Sequence, residues 1–283
     1  MPKVLEGPKV RGEQRMISKK VSVGVGGSAA TLSVYAFAPE EDAYTRALKP
    51  AVVIVPGGGY NHVSPREGEP IALRLLAGGY QAFVLDYSVA PAVYPQALRE
   101  LAAAVAWVRG HAEELQVDPA RVSVAGFSAG GHLACLLGAK WGEPGLAESV
   151  GATAADIRPD ALCLGYPVVT AGAFAHRGSF ETLSGGDDEL AQGLSIEELV
   201  NDDFPRTFVW HTAEDGSVPV QNSLLLAEAL AGAGVPFSLH VFPHGPHGIA
   251  LANQTTAFKG RAEQVQPQAQ AWPEMFAAWE RDA

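Results

Sequence analysis

From residue 51 onward the chain alternates short, unbroken apolar runs with longer segments of helical period. Ala51-Val52-Val53-Ile54-Val55 is a continuous β-branched run, the pattern of a parallel strand buried on both faces. Residues 80–86, 122–125, 161–164, 207–211 and 237–242 are further strand candidates. Helical segments are expected at 70–78, 95–115, 129–140 and 220–232. Residues 267–281 read as a closing amphipathic helix with Trp272, Phe276 and Trp279 on its apolar side. Before this region, residues 21–25 and 31–38 alternate with a period of two around Gly26-Gly27-Ser28, which predicts a hairpin. The regular alternation predicts an α/β fold, a mainly parallel central sheet of about eight strands flanked by helices. Residues 170–204 break the rhythm with Gly185-Gly186, several acids and weak periodicity. An insertion of this length is expected to be a small lid or binding loop, with a plain surface loop as the alternative. The first 15 or so residues are polar and irregular, which predicts a loose N-terminal arm. No repeat or low-complexity tract interrupts residues 1–283, so one domain is expected.

Charge narrows the functions open to such a domain. Twenty Lys+Arg against 31 Asp+Glu give a net charge of −11, and no basic run offsets it. An acidic surface repels polyanions, which argues against nucleic-acid and anionic-membrane partners. Apolar runs are broken by Gly, Pro or charge well before ~18 residues, so no segment is expected to span a bilayer. The two cysteines, Cys135 and Cys163, sit in the apolar strings LACLLG and ALCLGY. Two buried thiols exclude a disulfide scaffold and suit a reducing compartment. The N-terminus carries no apolar leader segment, so a cytoplasmic location is expected.

The sharpest chemical signal is Gly126-Phe127-Ser128-Ala129-Gly130-Gly131, placed between a buried strand and a helix. A serine hydroxyl is a weak nucleophile until a base takes its proton. A tight strand-to-helix turn projects its Oγ, and the helix N-terminus favours the negative charge of a tetrahedral intermediate. The second signal is Pro56-Gly57-Gly58-Gly59-Tyr60 after an earlier strand. Consecutive glycines leave backbone N–H groups open to an oxyanion. Gly58 and Gly59 are assigned as donors, with the N–H of Ala129 completing the hole, although sequence leaves open which glycine of 57–59 points inward. A phosphate cradle would need a following G-K-[ST], which is absent. The base is assigned to His247 in FPHGPHG, just past the last strand, with His244 as its competitor. The acid is assigned to Asp215, with Glu214 as the alternative. His132, four residues along the helix from Ser128, is read as packing or as supporting the site from behind. Neither cysteine follows an elbow pattern. A metal set of His211, His244, His247 and Asp215 lacks ligand spacing, so neither metal nor cofactor is expected.

With these residues in place, the chain resembles the α/β-hydrolase superfamily, and within it small bacterial carbohydrate-esterase-like proteins of the acetyl-xylan or feruloyl esterase-like, lipase/esterase group. The strings that carry the resemblance are VPGGGYNHVSPREGEPIALRL, GYQAFVLDYSVAP, YPQALRELAAAVAWVR, VSVAGFSAGGHLA, YPVVT, FVWHTAEDGSVPVQNSLLLAEAL and FPHGPHG, in that order over about residues 51–250. Lipase-type relatives open the glycine loop with His, and this chain has Pro56 there, which points to the carbohydrate-esterase-like group. The resemblance implies a Ser128–Asp215–His247 triad and an oxyanion hole drawn from the glycine run. The expected activity is hydrolysis of short-chain acyl esters through an acyl-serine, on a small-molecule substrate such as an acetylated sugar or xylo-oligosaccharide. Tyr60, His62 and the 170–204 insertion are expected to shape the substrate pockets. A serine peptidase or amidase of the prolyl-peptidase-like type and a non-catalytic ligand-binding homologue are the rival readings. A homo-oligomer is left open.

Overall fold

The computed structural model describes residues 16–38 and 47–282. The expected arm at 1–15 lies outside the described residues. Eight strands form one sheet: β1 Met16–Ser22, β2 Thr31–Phe37, β3 Lys49–Val55, β4 Gln81–Asp86, β5 Val117–Phe127, β6 Ala161–Gly165, β7 Arg206–Thr212 and β8 Phe237–Phe242. Their order is β1-β2-β4-β3-β5-β6-β7-β8. The β1–β2 and β2–β4 pairs are antiparallel, and every later pair is parallel. The helices in chain order are α1 Glu69–Ala77, α2 Gln96–Gly110, α3 Ala112–Leu115, α4 Ala129–Lys140, α5 Ala154–Ile157, α6 Arg177–Ser184, α7 Asp188–Gly193, α8 Gln221–Gly232 and α9 Trp272–Arg281.

The unbroken apolar runs follow from helices on both sides of the sheet. Successive strand residues face opposite layers. Val53 and Val55 of β3 join Leu101 and Val105 of α2 and Leu133 and Leu136 of α4 in one core. Val52 and Ile54 join Ile71 and Leu75 of α1 and Trp272 and Phe276 of α9 in the other. Among the described residues no helix is long and apolar enough to cross a membrane.

Several details depart from the sequence reading, among them β5, which begins at Val117 rather than at residue 122. β1 runs from Met16 to Ser22, so only residues 21 and 22 of the expected 21–25 lie in it; it is an edge strand whose side chains are largely exposed and so carry no apolar alternation. The helix expected over 95–115 stops at Gly110 and resumes as the short α3, and His111 at the break turns its ring Nδ1 to the Trp107 carbonyl at 2.8 Å. The closing helix begins at Trp272, after a 3₁₀ turn at Ala269–Ala271. Pro273 is then accommodated in its first turn, where a missing N–H costs nothing. Finally, residues 170–204 fold into α6, α7 and the turn Ile196–Glu198, with Phe180, Leu183, Leu194 and Ile196 buried in the main core. The two helices have only 8 and 6 residues, too few to write a sustained helical period into that segment.

Candidate active site

β5 ends in Phe127, and Ser128 leads directly into α4. Ser128 sits at φ 55°, ψ −122°, a conformation that costs a non-glycine residue about 1–3 kcal/mol and persists where surrounding structure enforces it. The enforcement is close packing: a Cβ at Gly130 would lie 2.1 Å from the Val55 carbonyl oxygen, and one at Gly126 would lie 2.4 Å from the Gly130 oxygen. The Ser128 N–H donates to the Gly165 carbonyl at 3.0 Å, fixing the turn against β6.

The chain then brings together three residues that lie far apart in sequence. The Ser128 Oγ lies 2.7 Å from His247 Nε2, and His247 Nδ1 lies 2.6 Å from Asp215 Oδ2. Asp215 follows β7 and His247 follows β8, so both loops leave the same end of the parallel strands as the serine turn. Four N–H groups converge on the Asp215 carboxylate. Ser217 and Val218 donate to Oδ1 at 3.0 and 2.9 Å. His247 Nδ1–H donates to Oδ2, and His211 Nε2 lies 3.3 Å from the same oxygen while also meeting the Val218 carbonyl at 2.9 Å. Burial alone would raise this carboxyl group's pKa. The hydrogen bonds from His211 and His247, the charge of His247 and the Val218 N–H outweigh it and hold the group well below the usual carboxylate range. Asp215 is therefore ionised at neutral pH, and it fixes the His247 tautomer that leaves Nε2 free to accept the serine proton. The competing residues pair with each other instead: His244 Nδ1 lies 2.8 Å from Glu214 Oε1, both side chains more than half exposed.

Hydrogen bonds orient the glycine loop. The Gly57 N–H donates to Glu67 Oε2 at 2.8 Å, so it is not free to meet a ligand. The Gly57 carbonyl accepts from Ser64 N–H at 2.9 Å, and the Gly58 carbonyl accepts from Asn61 N–H at 3.0 Å. In a trans peptide the C=O and N–H point opposite ways. The N–H groups of Gly58 and Gly59 therefore point away from the 61–64 turn, and among the described residues neither meets an acceptor. Gly57 packs directly on the Ser128 turn, since a Cβ there would lie 2.8 Å from the Ser128 Cβ. Ala129, first residue of α4, has an N–H with no intrahelical partner.

The two residues expected at the substrate differ in placement. His62 is exposed beside the glycine loop. Tyr60 is only 2% exposed, and its hydroxyl is spent on His132 Nδ1 at 2.8 Å, so its side chain is part of the wall rather than an open contact. His132 in turn donates from Nε2 to the Leu194 carbonyl of the insertion at 2.9 Å. Burial pushes its pKa down to about 4 against that hydrogen bond, so the ring is neutral at neutral pH. Several residues that sequence reasoning passed over also belong here. His176 of the insertion bonds Ser179 Oγ at 2.8 Å, and both stand over Gly59, whose Cβ position lies 3.7 Å from Ser179 Oγ and 4.0 Å from His176 Cε1. Burial and then the neighbouring His247 lower its pKa, against a raising effect of Asp215. Tyr166 stands edge-on to the His247 ring at 5.1 Å, and its hydroxyl reaches Glu67 Oε1 at 2.7 Å. Tyr166 opens the string YPVVT, and His176 and Ser179 fall in the segment expected to shape the pockets, but nothing in the sequence singles out these side chains. Among the described residues no three His, Cys, Asp or Glu side chains gather as a metal site.

The arrangement can transfer a proton from Ser128 to His247 and offers N–H groups for an oxyanion, the requirements of acyl transfer. Known proteins with similar chains agree with such chemistry. The BD-FAE family model matches residues 39–230. Endo-1,4-beta-xylanase B of Butyrivibrio fibrisolvens is 36% identical over 233 residues, 77% of this chain, and the chain spans about a third, 36%, of that relative's length. Among solved structures, the acetyl ester-xyloside bifunctional hydrolase from Caldicellulosiruptor lactoaceticus shares 38% identity at a TM-score of 0.76, covering 90% of this chain and 89% of that one. The carboxylesterase Cest-2923 from Lactobacillus plantarum WCFS1 shares 31% identity at a TM-score of 0.83, covering 95% and 97%.

Proposed function

The chain belongs to the BD-FAE family, within the esterase-like α/β hydrolases, and on that premise we propose that it is a serine carboxylesterase that removes short acyl groups, above all acetyl groups from sugars or xylo-oligosaccharides. The observation that carries this reading is the continuous hydrogen-bonded line from Ser128 Oγ through His247 to Asp215, at 2.7 and 2.6 Å. His247 Nε2 takes the serine proton as Oγ attacks the ester carbonyl. The carbonyl oxygen becomes an oxyanion facing the N–H groups of Gly58, Gly59 and Ala129. One such donor contributes about 2.7–4 kcal/mol to the transition state. The tetrahedral species then collapses, the C–O bond to the alcohol breaks, and His247 returns its proton to the departing alkoxide. Water, deprotonated by the same imidazole, attacks the acyl-serine and releases the acid while Ser128 regains its proton. Asp215 stays ionised throughout and stabilises the imidazolium.

The short-acyl reading is supported by the packed surroundings of the glycine loop, where the Tyr60 ring is buried and Ser179 and His176 close over Gly59. The sugar reading is supported by the neighbour named for acetyl ester and xyloside hydrolysis. Cys135 and Cys163 are buried free thiols whose pKa values burial raises, so neither supplies a thiolate to compete with Ser128 as nucleophile. The test is kinetic. Ser128→Ala should abolish turnover of p-nitrophenyl acetate without lowering the melting temperature, and rates of the unaltered enzyme should fall steeply from acetate to octanoate esters. Acetate release from acetylated xylo-oligosaccharides, with the products identified, tests the sugar. Undiminished turnover by the serine variant overturns the nucleophile, and a preference for octanoate overturns the short-acyl reading.

A further inference from the structure

We infer that Glu67 is a positioning residue for acyl transfer: its buried carboxylate locks the glycine loop and, through the Tyr166 hydroxyl, the His247 loop into one register. The inference rests on the serine-esterase reading above and extends it to a residue that never touches substrate.

Glu67 ends the short turn Pro65–Glu67 between the glycine loop and α1. It is 4% exposed and, among the described residues, forms no ion pair with a basic side chain. Its neighbour Arg66 is turned elsewhere, with Nη2 on the Gly248 carbonyl at 2.8 Å and the guanidinium 3.9 Å over the Phe258 ring. A buried carboxylate is costly unless hydrogen bonds replace its hydration, and an apolar residue of similar volume often packs at no loss of stability. Both oxygens of Glu67 are engaged, and both engage the site. Oε2 accepts the Gly57 N–H at 2.8 Å, and Oε1 accepts the Tyr166 hydroxyl at 2.7 Å. The same hydroxyl accepts the Ala250 N–H at 2.9 Å, three residues past His247. Tyr166 and Ala250 both hold left-handed backbone, φ 38° and 52°, which packing and these bonds must enforce. The Tyr166 ring meets the His247 ring edge-on, and the Gly248 Cβ position lies 4.0 Å from Glu67 Oε1.

The consequence is directional. Anchoring the Gly57 N–H sets the first plane of a loop of three glycines, the residues with the widest backbone freedom. With the Ser64 and Asn61 bonds, this aims the Gly58 and Gly59 N–H groups. Those donors matter most in the transition state, so loosening them lowers kcat and leaves KM nearly unchanged.

The experiment uses the full chain, with active sites counted by exhaustive fluorophosphonate labelling and kcat expressed per labelled site on p-nitrophenyl acetate. Glu67→Gln can still offer its amide oxygen to Gly57, but its NH2 then faces Tyr166. Glu67→Leu offers nothing. The expected result is a kcat lower by about 10-fold for Gln and about 100-fold for Leu, with KM within about threefold. Tyr166→Phe keeps the Gly57 bond and frees Ala250. It should lower kcat about 10-fold and combine with Glu67→Gln less than additively, as coupled residues do. Kcat per labelled site within twofold of the unaltered enzyme in Glu67→Gln and Tyr166→Phe, with only melting temperature or labelled fraction reduced, would make Glu67 merely structural and overturn the inference. Should the leucine variant not fold, the other two carry the test. An unaltered enzyme that labels but hydrolyses no ester would fail the functional reading instead, and is distinguished by that control.

Discussion

Replacing Asp215 by Asn exposes how the carboxylate does its work. Four N–H groups point at two carboxylate oxygens: Ser217 and Val218 at Oδ1, His247 and His211 at Oδ2. An amide has one acceptor oxygen. It must face Ser217 and Val218, because two backbone donors cannot turn away, and its NH2 then occupies the Oδ2 position against His247. The imidazole relieves this donor–donor clash by moving its proton to Nε2, where it can no longer accept from Ser128 Oγ. Loss of the productive tautomer in an equivalent triad lowers kcat about 10⁴-fold, or ~5.4 kcal/mol at about 1.36 kcal/mol per decade. The assay is kcat for p-nitrophenyl acetate at pH 7.5, with melting recorded in parallel so that lost fold is not mistaken for lost chemistry. Retention of more than a tenth of the original kcat by a folded Asp215→Asn enzyme would refute the tautomer argument. Linkage gives a second reading of the same variant. The folded-state pKa of Asp215 is depressed, so the stability it contributes is fully present above the unfolded value of about 3.9 and is lost as pH falls below it toward the folded value. Acid unfolding below about pH 4 should therefore be shallower in Asp215→Asn.

The surface pair offers the contrasting case: His244→Ala and Glu214→Ala should each leave kcat/KM for p-nitrophenyl acetate within twofold, and a loss of tenfold or more in either would return that residue to the catalytic machinery. His132 should make folding sensitive to mild acid. Its folded pKa of about 4 lies below the ordinary 6.5, so its contribution is fully present above pH 6.5 and shrinks as pH drops toward 4. At pH 5 the loss is about 2 kcal/mol, which denaturant melts at pH 7.5 and 5.0 will measure; a His132→Asn variant with the same pH slope as the unaltered protein would exclude His132 as its source.

The parts of the site that sequence reveals are those set by local grammar. A serine between a buried strand and a helix, and an acid and an imidazole each just past a strand, are legible because the strand itself fixes where the next few residues go. α4 and β8 fall on the expected bounds for the same reason. His247 is preferred to His244 from its place past the last strand, and the fold adds the reason, since Glu214 captures His244. Glu67 shows why the rest was hidden. It stands two residues from Glu69 in PREGEP, one carboxylate buried and the other exposed, and what separates them is Gly57 on one side and Tyr166, 99 positions later, on the other. Tyr60 is the reverse case: a tyrosine beside a glycine loop suggests a pocket lining, but a histidine 72 positions on claims its hydroxyl. β1 carries no readable alternation because an edge strand lies half in solvent and its pattern is not written in apolar residues.

The tight seat of α4 has a bearing on how this scaffold can change. Gly130 abuts the Val55 carbonyl and Gly131 would place a Cβ 2.8 Å from the Pro167 Cβ, so the floor beneath Ser128 has no slack for a larger side chain. Mutational libraries seeking bulkier acyl donors will find room at His176 and Ser179, which stand over Gly59, sooner than along the elbow itself.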